Sequence, residues 1–508
     1  MDPLDSPALD EDALIEALEA EAQYQRYWLP PEPWWDALVA DKASLAKAVQ
    51  RKLQRGARWP RSEVVDVRKP GHGIRPVSLM SPEVRVAYRA IVSAVIPPEA
   101  RADRSAARYA EFVTEPVRAA FDNVAGFQFI ADSKYSHVVI ADVAAFYEYI
   151  DHAVLRDEFD LAGANISLVD GLLGLLADIE GHGFGIPQRS APSDWISEYY
   201  AARVERWVVR DGFDTWKYSD DFRVGCTSYA EALRAIESLS RGARDVGLVL
   251  NDRKTATPSF LTYLMHQSGS EINEASVSID PSDVEAAVSS DYSPDDEDQA
   301  VEEADQTLQK LWEPNDQGEP WTAQLWDLRK LDGDQHRAVR RALNTLTKHA
   351  DPRGLPQLLS ILVFQPAMTH QVMGYASAVA QVDESAVAAL FDVAIAKVSL
   401  NEWQRAWVAY GIRSCEVEVS QDDERFDWLQ RQLVERPGSL SAAEAAVTLA
   451  GLGHVGFELL EGLLRSASDD IAPWYLHALG VLNAAGSVPG QQLAALRGSS
   501  AVAAAILK

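Results

Sequence analysis

Cysteine is nearly absent from this chain: Cys226 and Cys415 are the only two in 508 residues. They lie far apart and lack metal-ligand spacing. That excludes a disulfide framework and a structural zinc site, and leads us to expect a reducing, cytoplasmic setting. Long apolar runs are missing too. No stretch approaches the roughly 20 apolar residues that span a bilayer. The N-terminus, Met1 to Glu21, is studded with Asp and Glu, unlike a signal or transit peptide, so no membrane partner is expected. Positive charge is scarce: 47 Lys and Arg stand against 76 Asp and Glu, a net charge of −29. That balance argues against a generally sticky, polyanion-binding surface.

What basic charge there is clusters. From Arg51 to Ala110 there are 13 Lys and Arg against 5 Asp and Glu, a pattern that fits a confined nucleic-acid track and equally a solvated helix face. The length predicts three or four structural units. Residues 1–55 read as helical, broken at Leu29-Pro30-Pro31-Glu32-Pro33. Val64, Val65 and Val67, the Lys69-Pro70-Gly71 turn, and Ile74 to Leu79 carry the signature of a hairpin. Helical spacing returns over Pro82 to Ile96. His137 to Asp142 is a strand running into a helix at Phe146, and Trp216 to Val224 a tight hairpin about Ser219-Asp220. Leu248–Leu250 and Phe260–Met265 are short strands. Strands and helices mix without a βαβ repeat, so residues 56–275 are expected to be α+β. The acidic, apolar-poor stretch Asp291 to Asp305 reads as linker, with bounds 276–318. Residues 319–508 show only helical periodicity with paired breaks, as in a HEAT-like α-solenoid or an ordinary bundle.

The carboxylates carry the chemistry. Joining nucleotides by two-metal catalysis requires two or three carboxylates at one point on a rigid base. Asp142 at the end of a buried strand, with Asp220 and Asp221 at a hairpin tip, offers that set. Alternation along a strand makes the two hairpin residues unequal, so Asp220 is expected as the closer ligand and Asp221 as its support. Each element alone has a plainer explanation. Asp pairs favour turns, and Asp142 could cap a helix.

Taken together and in order, these segments resemble the reverse transcriptases. Ala141-Asp142-Val143-Ala144-Ala145-Phe146-Tyr147 is similar to the first palm motif, which implies that Tyr147 is the gate against a ribose 2′-hydroxyl. Gly185-Ile186-Pro187-Gln188 with Ser193 resembles the loop and helix under the template base, with Gln188 lining the base-pair pocket. Arg189 departs from that pattern, standing where glycine is usual. Tyr218-Ser219-Asp220-Asp221 matches the Tyr-x-Asp-Asp box. Gly247 to Asn251 followed by Lys254 resembles the motif whose lysine lies near the leaving pyrophosphate. Arg75-Pro76-Val77 with Arg85 and Arg89 resembles the finger segment that holds the triphosphate.

The likeness spans about Arg61 to Met265. It implies a right-hand fingers-palm domain, dNTPs as substrates, an RNA template and a DNA product. It also implies two Mg2+ ions, replaceable by Mn2+, on Asp142, Asp220, Asp221 and the Val143 carbonyl. The helical region in place of an ordinary thumb resembles the bacterial defence-associated, abortive-infection type, some of which copy a partner non-coding RNA. Homo-oligomers through the helical region are expected. Two other readings stay open: a template-independent, protein-primed DNA synthase, and a catalytically inert scaffold.

Overall fold

The valine alternation after Arg61 does produce a hairpin. The computed structural model describes residues 9–24, 26, 28–69, 73–124, 128–268, 278–279, 297–310 and 333–508. In it, β1 (Val64–Arg68) pairs antiparallel with β2 (Ile74–Ser78), Val65 opposite Val77 and Val67 opposite Arg75. Val65, Val67 and Val77 are buried, as a period of two demands. Pro70 and Gly71 of the expected turn lie outside the described residues.

The chain forms two units. One comprises Met1–Leu9, Leu53–Arg61 and Tyr88–Ser293; the other comprises Asp10–Lys52, Ser62–Ala87 and Pro294–Lys508. The sequence bounds of 56–275 assign the hairpin to the palm, but it folds with the terminal helices. The bonds that hold it there join distant residues. Glu63 N–H donates to Asp470 Oδ2 at 2.7 Å, and the Arg26 guanidinium donates to the Ser78 carbonyl. No local pattern can announce such partners.

In the first unit, β4 (His137–Asp142), β5 (Asp214–Tyr218) and β6 (Asp221–Cys226) form an antiparallel sheet in the order β4-β6-β5. A two-residue pair, β3 (Gln128–Phe129) with β7 (Ser278–Ile279), lies apart from it. Val138, Val139, Ala141, Phe222 and Val224 are buried. The helix Tyr229–Asp245 contributes a small-residue face of Ala232, Ala235 and Ala243 that packs on β4 and β6, while the helix Ala106–Ala120 packs on β5 and β6. Phe260–Met265, expected as a strand, is instead part of a helix, Phe260–Ser268. Phe260, Tyr263 and Leu264 then fall on one face and join Val117, Phe121, Tyr135 and Val138 in a common core, a helical period that an apolar run this short conceals. Likewise Leu248–Leu250 contributes one bridge, Val143 to Leu250.

In the second unit the C-terminal helices stack in two rows. Gly333–His349, Thr369–Ala380, Glu402–Ser414, Leu440–Gly451, Ala472–Ala484 and Ala501–Ile506 each pack on the next, with Leu355–Phe364, Glu384–Lys397 and Glu424–Glu435 alongside. That is solenoid-like stacking. The acidic segment is not all linker, since Glu297–Lys310 is a helix that buries Val301, Ala304 and Leu308. Among the described residues no helix is long and apolar enough to cross a membrane. Cys226 and Cys415 are buried and unpaired.

Candidate active site

The register of the sheet gathers the aspartates. Asp142, the last residue of β4, stands opposite Asp221, the first of β6. Ladder partners point their side chains to one face, so it is Asp221 that faces Asp142 across the sheet, and Asp220 meets them from the turn. The two-residue turn is tight because Ser219 adopts φ 59°, a left-handed conformation that costs a non-glycine residue on the order of 1 kcal/mol. Val143 N–H donates to the Asp220 carbonyl at 3.1 Å, tying the hairpin tip to the end of β4. Asn251 N–H donates to the Asp142 carbonyl, and Ala144 N–H to that of Val249. Val143 and Leu250 therefore face each other as a non-hydrogen-bonded pair, which leaves the Val143 carbonyl outside that bridge.

The electrostatics follow from this crowding. Burial, then the charge of Asp142, raises the Asp220 carboxyl above its usual range. Burial pushes Asp221 up to about 6 against the pull of Arg223, with Asp220 and Asp142 adding to the rise. Lys254 answers the excess. Its Nζ sits 2.8 Å from Asp142 Oδ1 while Asn251 Nδ2 donates to Oδ2 at 3.1 Å. Burial depresses the Lys254 ammonium, but its bond to Asp142 and the charges of all three aspartates outweigh that and raise it. Among the described residues no three His, Cys, Asp or Glu side chains are already drawn together as ligands of one ion. The donor set nevertheless fits a hard divalent cation, which takes oxygen ligands and favours clustered carboxylates. In its place, the Lys254 ammonium neutralises Asp142.

Tyr147 lies one turn beyond Asp142, on a 3-10 helix, Phe146–Tyr149, that replaces the expected α-helix because Ala145 breaks it with φ 49°. Its hydroxyl donates to Asp194 Oδ1 at 2.6 Å. Burial and the Asp194 charge keep the phenol far above its usual range, so it remains a donor. Burial also raises Asp194, opposed by the Tyr147 bond and by Arg104 and Arg189. Arg104 joins this group to the box tyrosine, with Nη1 2.8 Å from Glu198 and its guanidinium 5.1 Å over the Tyr218 ring. Tyr218 is packed further by Tyr109 and Phe112.

The loop before the helix Ala191–Arg210 is bound to Tyr147's own segment. Gly185 N–H donates to the Ile150 carbonyl and Ile186 N–H to that of Tyr147. Gly185 sits at φ 83°, where a Cβ would also meet the Glu148 carbonyl at 3.2 Å, so glycine is required. Pro187 and Gln188 are buried, and Gln188 Nε2 donates to Glu148 at 3.3 Å. Arg189 is exposed and keeps φ 59°. It preserves the backbone conformation that glycine favours while adding a guanidinium.

Other expected site residues serve the fold. Ser193, expected beside the template, is fully buried with its hydroxyl 2.8 Å from that of Tyr88. Arg85 belongs to the second unit and is buried there, its guanidinium bonded to Glu21 and Glu32. Arg75, also in the second unit, lies 3.9 Å over the Trp28 ring. Arg89, in the first unit, is buried 5.6 Å over the Trp195 ring. The basic stretch is thus largely turned inward. Sequence reasoning missed Asn251, Asp194 and Arg104. Asn251 had a signal, three residues before Lys254; the other two had none, because their partners are remote in the chain.

No family model matches the chain, and no curated protein matches it. Among solved structures it is similar to telomerase from Candida albicans in complex with the TWJ fragment of telomeric RNA, at 9% identity and a TM-score of 0.31 over 78% of this chain and 68% of that one. It is similar also to apo telomerase from Candida tropicalis, at 10% identity and a TM-score of 0.28 over 80% and 69%.

Proposed function

We propose that the first unit is a nucleotidyltransferase of reverse-transcriptase type that extends DNA from dNTPs. One observation carries the reading. The β4-β6-β5 sheet converges Asp142, Asp220 and Asp221 at its end, with Lys254 bonded to the first of them. Asp142, Asp220 and Asp221, with the Val143 carbonyl, would hold Mg2+ or Mn2+. Bound there, the divalent ions supply the charge that acidifies an attacking 3′-hydroxyl and offsets the leaving pyrophosphate.

The chain's own residues do the rest. Lys254, with 63% of its side chain exposed, can leave Asp142 to meet a phosphate. Tyr147, fixed by Asp194, stands as a rigid wall against a ribose 2′-hydroxyl. Gln188, held by Glu148, lines the pocket for the base. Arg75 and Arg89 would meet phosphates only by leaving their aromatic partners.

Replacing Asp220 and Asp221 together by alanine is expected to abolish dNTP incorporation while circular dichroism and melting stay native-like. Full activity in that variant would overturn the assignment. Templating is read in the same assay: synthesis that depends on added RNA supports RNA-directed copying of a non-coding RNA. A covalent protein–DNA ladder formed without nucleic acid supports protein priming, a reading favoured by the extra guanidinium of Arg189 in the template loop. We place the activity in antiphage defence by analogy of architecture alone. Phage protection that survives the double alanine substitution would remove that role from the polymerase.

A further inference from the structure

Between the N-terminal turn and two C-terminal helices of the second unit lies a cavity of about 760 Å3, within the size range of small-molecule sites. Aromatic side chains dominate its walls: Tyr24, Trp35, Trp407 and Tyr410. At one place the wall is Arg26, whose side chain is only 5% exposed.

Arg26 is incompletely satisfied. Its Nη2 donates to the Ser78 carbonyl, but Nε and Nη1 have no hydrogen-bond partner. Glu32 is 3.8 Å from Nη1, beyond bonding distance, because its other oxygen is taken by Arg85 and by Trp35 Nε1. Arg85 leaves its own Nη2 without an acceptor. Two buried arginines therefore share two glutamates, Glu21 and Glu32, and donors remain over. A buried charge with unmet donors costs several kcal/mol, on the order of the desolvation of an ion, so an anion brought to Arg26 would gain charge-assisted bonds. Burial and the nearby Arg85 charge depress the Arg26 guanidinium, in keeping with a place that favours added negative charge.

Gly374 supplies an independent observation. It lies inside the helix Thr369–Ala380 and lines the cavity. Glycine within a helix costs about 1 kcal/mol relative to alanine, and an added Cβ here would meet nothing within 4 Å. Packing does not require the glycine; a side chain at this position would enter the cavity.

We propose that this cavity binds a small molecule carrying a planar ring and an anionic group, of about mononucleotide size, with the anion on Arg26 and the ring among the aromatic walls. The site lies wholly in the second unit and does not depend on the polymerase reading. Full-length protein, held in chelator so that no metal-dependent chemistry proceeds, is titrated calorimetrically with three probes: adenosine 5′-monophosphate, indole-3-acetate and neutral adenosine.

At least one anion is expected to bind, with adenosine weaker by about tenfold or more. Binding of the nucleotide alone identifies a phosphate-bearing ligand, and of indole-3-acetate alone an aromatic carboxylate; each supports the site. Gly374→Leu should abolish binding with unchanged melting, and Arg26→Met should weaken it by about tenfold. Protein carrying Asp220→Asn and Asp221→Asn should bind as the native chain does, which separates this site from the polymerase centre. Failure of both anions to bind, equal binding of adenosine, or unchanged binding in Gly374→Leu would overturn the proposal.

Discussion

Asp470 holds the entry to β1 by accepting from Glu63 N–H at 2.7 Å, and the structure predicts what that costs at neutral pH. Its side chain is 3% exposed as a residue, and Oδ1 has no partner. Burial, against bonds from the Glu63 and Ser81 amides, pushes the carboxyl up to about 7 from 3.8, with the charges of Glu63 and Asp469 adding to the rise. A carboxyl raised on folding favours the folded state fully below the unfolded value, near pH 4, and that contribution is lost as pH rises through 7. At 1.36 kcal/mol per unit, the loss between pH 4 and pH 8 is about 4 kcal/mol, a large part of the 5–15 kcal/mol that stabilises a typical domain. Asp470→Asn keeps an oxygen for Glu63 and cannot ionise. Urea unfolding of both proteins at several pH values gives a difference curve free of every other titrating group. That curve should run in favour of the variant by about 4 kcal/mol from pH 4 to pH 8. A flat difference curve, or a variant that loses ground as pH rises, would refute the argument.

Three further substitutions test other parts. In Gly225→Ala the new Cβ would lie 2.6–2.8 Å from three ring atoms of Tyr135, whose hydroxyl is pinned to Asp214 at 2.6 Å. Chemical denaturation should show a loss of about 1–3 kcal/mol, most of it absent in a Tyr135→Ala background. Glu444 is fully buried between Arg413 at 3.0 Å and Trp474 Nε1 at 2.7 Å. Glu444→Ala should cost about 3–5 kcal/mol in the same assay, and Glu444→Gln less, since an acceptor for Trp474 remains. Asp194→Ala unlocks the Tyr147 hydroxyl. If Tyr147 is the gate, single-nucleotide incorporation should show discrimination between dNTPs and rNTPs falling by about tenfold, equivalent to some 1.4 kcal/mol; unchanged discrimination would remove Asp194 from that role.

The residues that were legible in the sequence are those whose structural cause is local. Asp142 follows a buried Val-Val-Ile run, Ser219-Asp220 is turn chemistry between two short strands, and the Gly185 to Gln188 loop carries its own conformational constraint. Period and turn signals suffice for these. Phe260 to Met265 failed because six apolar-rich residues fit either period. The helix Glu297–Lys310 was hidden because three apolar positions, Val301, Ala304 and Leu308, are scattered through an acidic run. The partnership of Tyr147 with Asp194, and of Glu63 with Asp470, spans 47 and 407 residues. Propensity has no access to such pairs, and the allocation of β1 and β2 to the second unit depends on them.

The basic stretch shows how far composition alone can mislead about binding. Its excess of positive charge reads as a nucleic-acid track, yet the guanidiniums are mostly committed within each unit. Arg85 is committed to Glu21 and Glu32, Arg104 to Glu198, Arg108 to Glu111 and Glu115, and Lys52 to Glu83, while Arg75 and Arg101 lie over Trp28 and Trp195. A phosphate must displace these partners before it can be neutralised, so each contact returns less than an uncommitted arginine would, and fewer condensed counterions are released on binding. In a chain of net charge −29 that leaves the carboxylate centre, and the divalent ions its donors suit, as the main place where polyphosphate charge can be met. Binding of nucleic acid by such a protein should then depend more on divalent metal and less on monovalent salt than its local count of lysine and arginine suggests. The three aspartates thereby serve both the chemistry and the retention of its substrate.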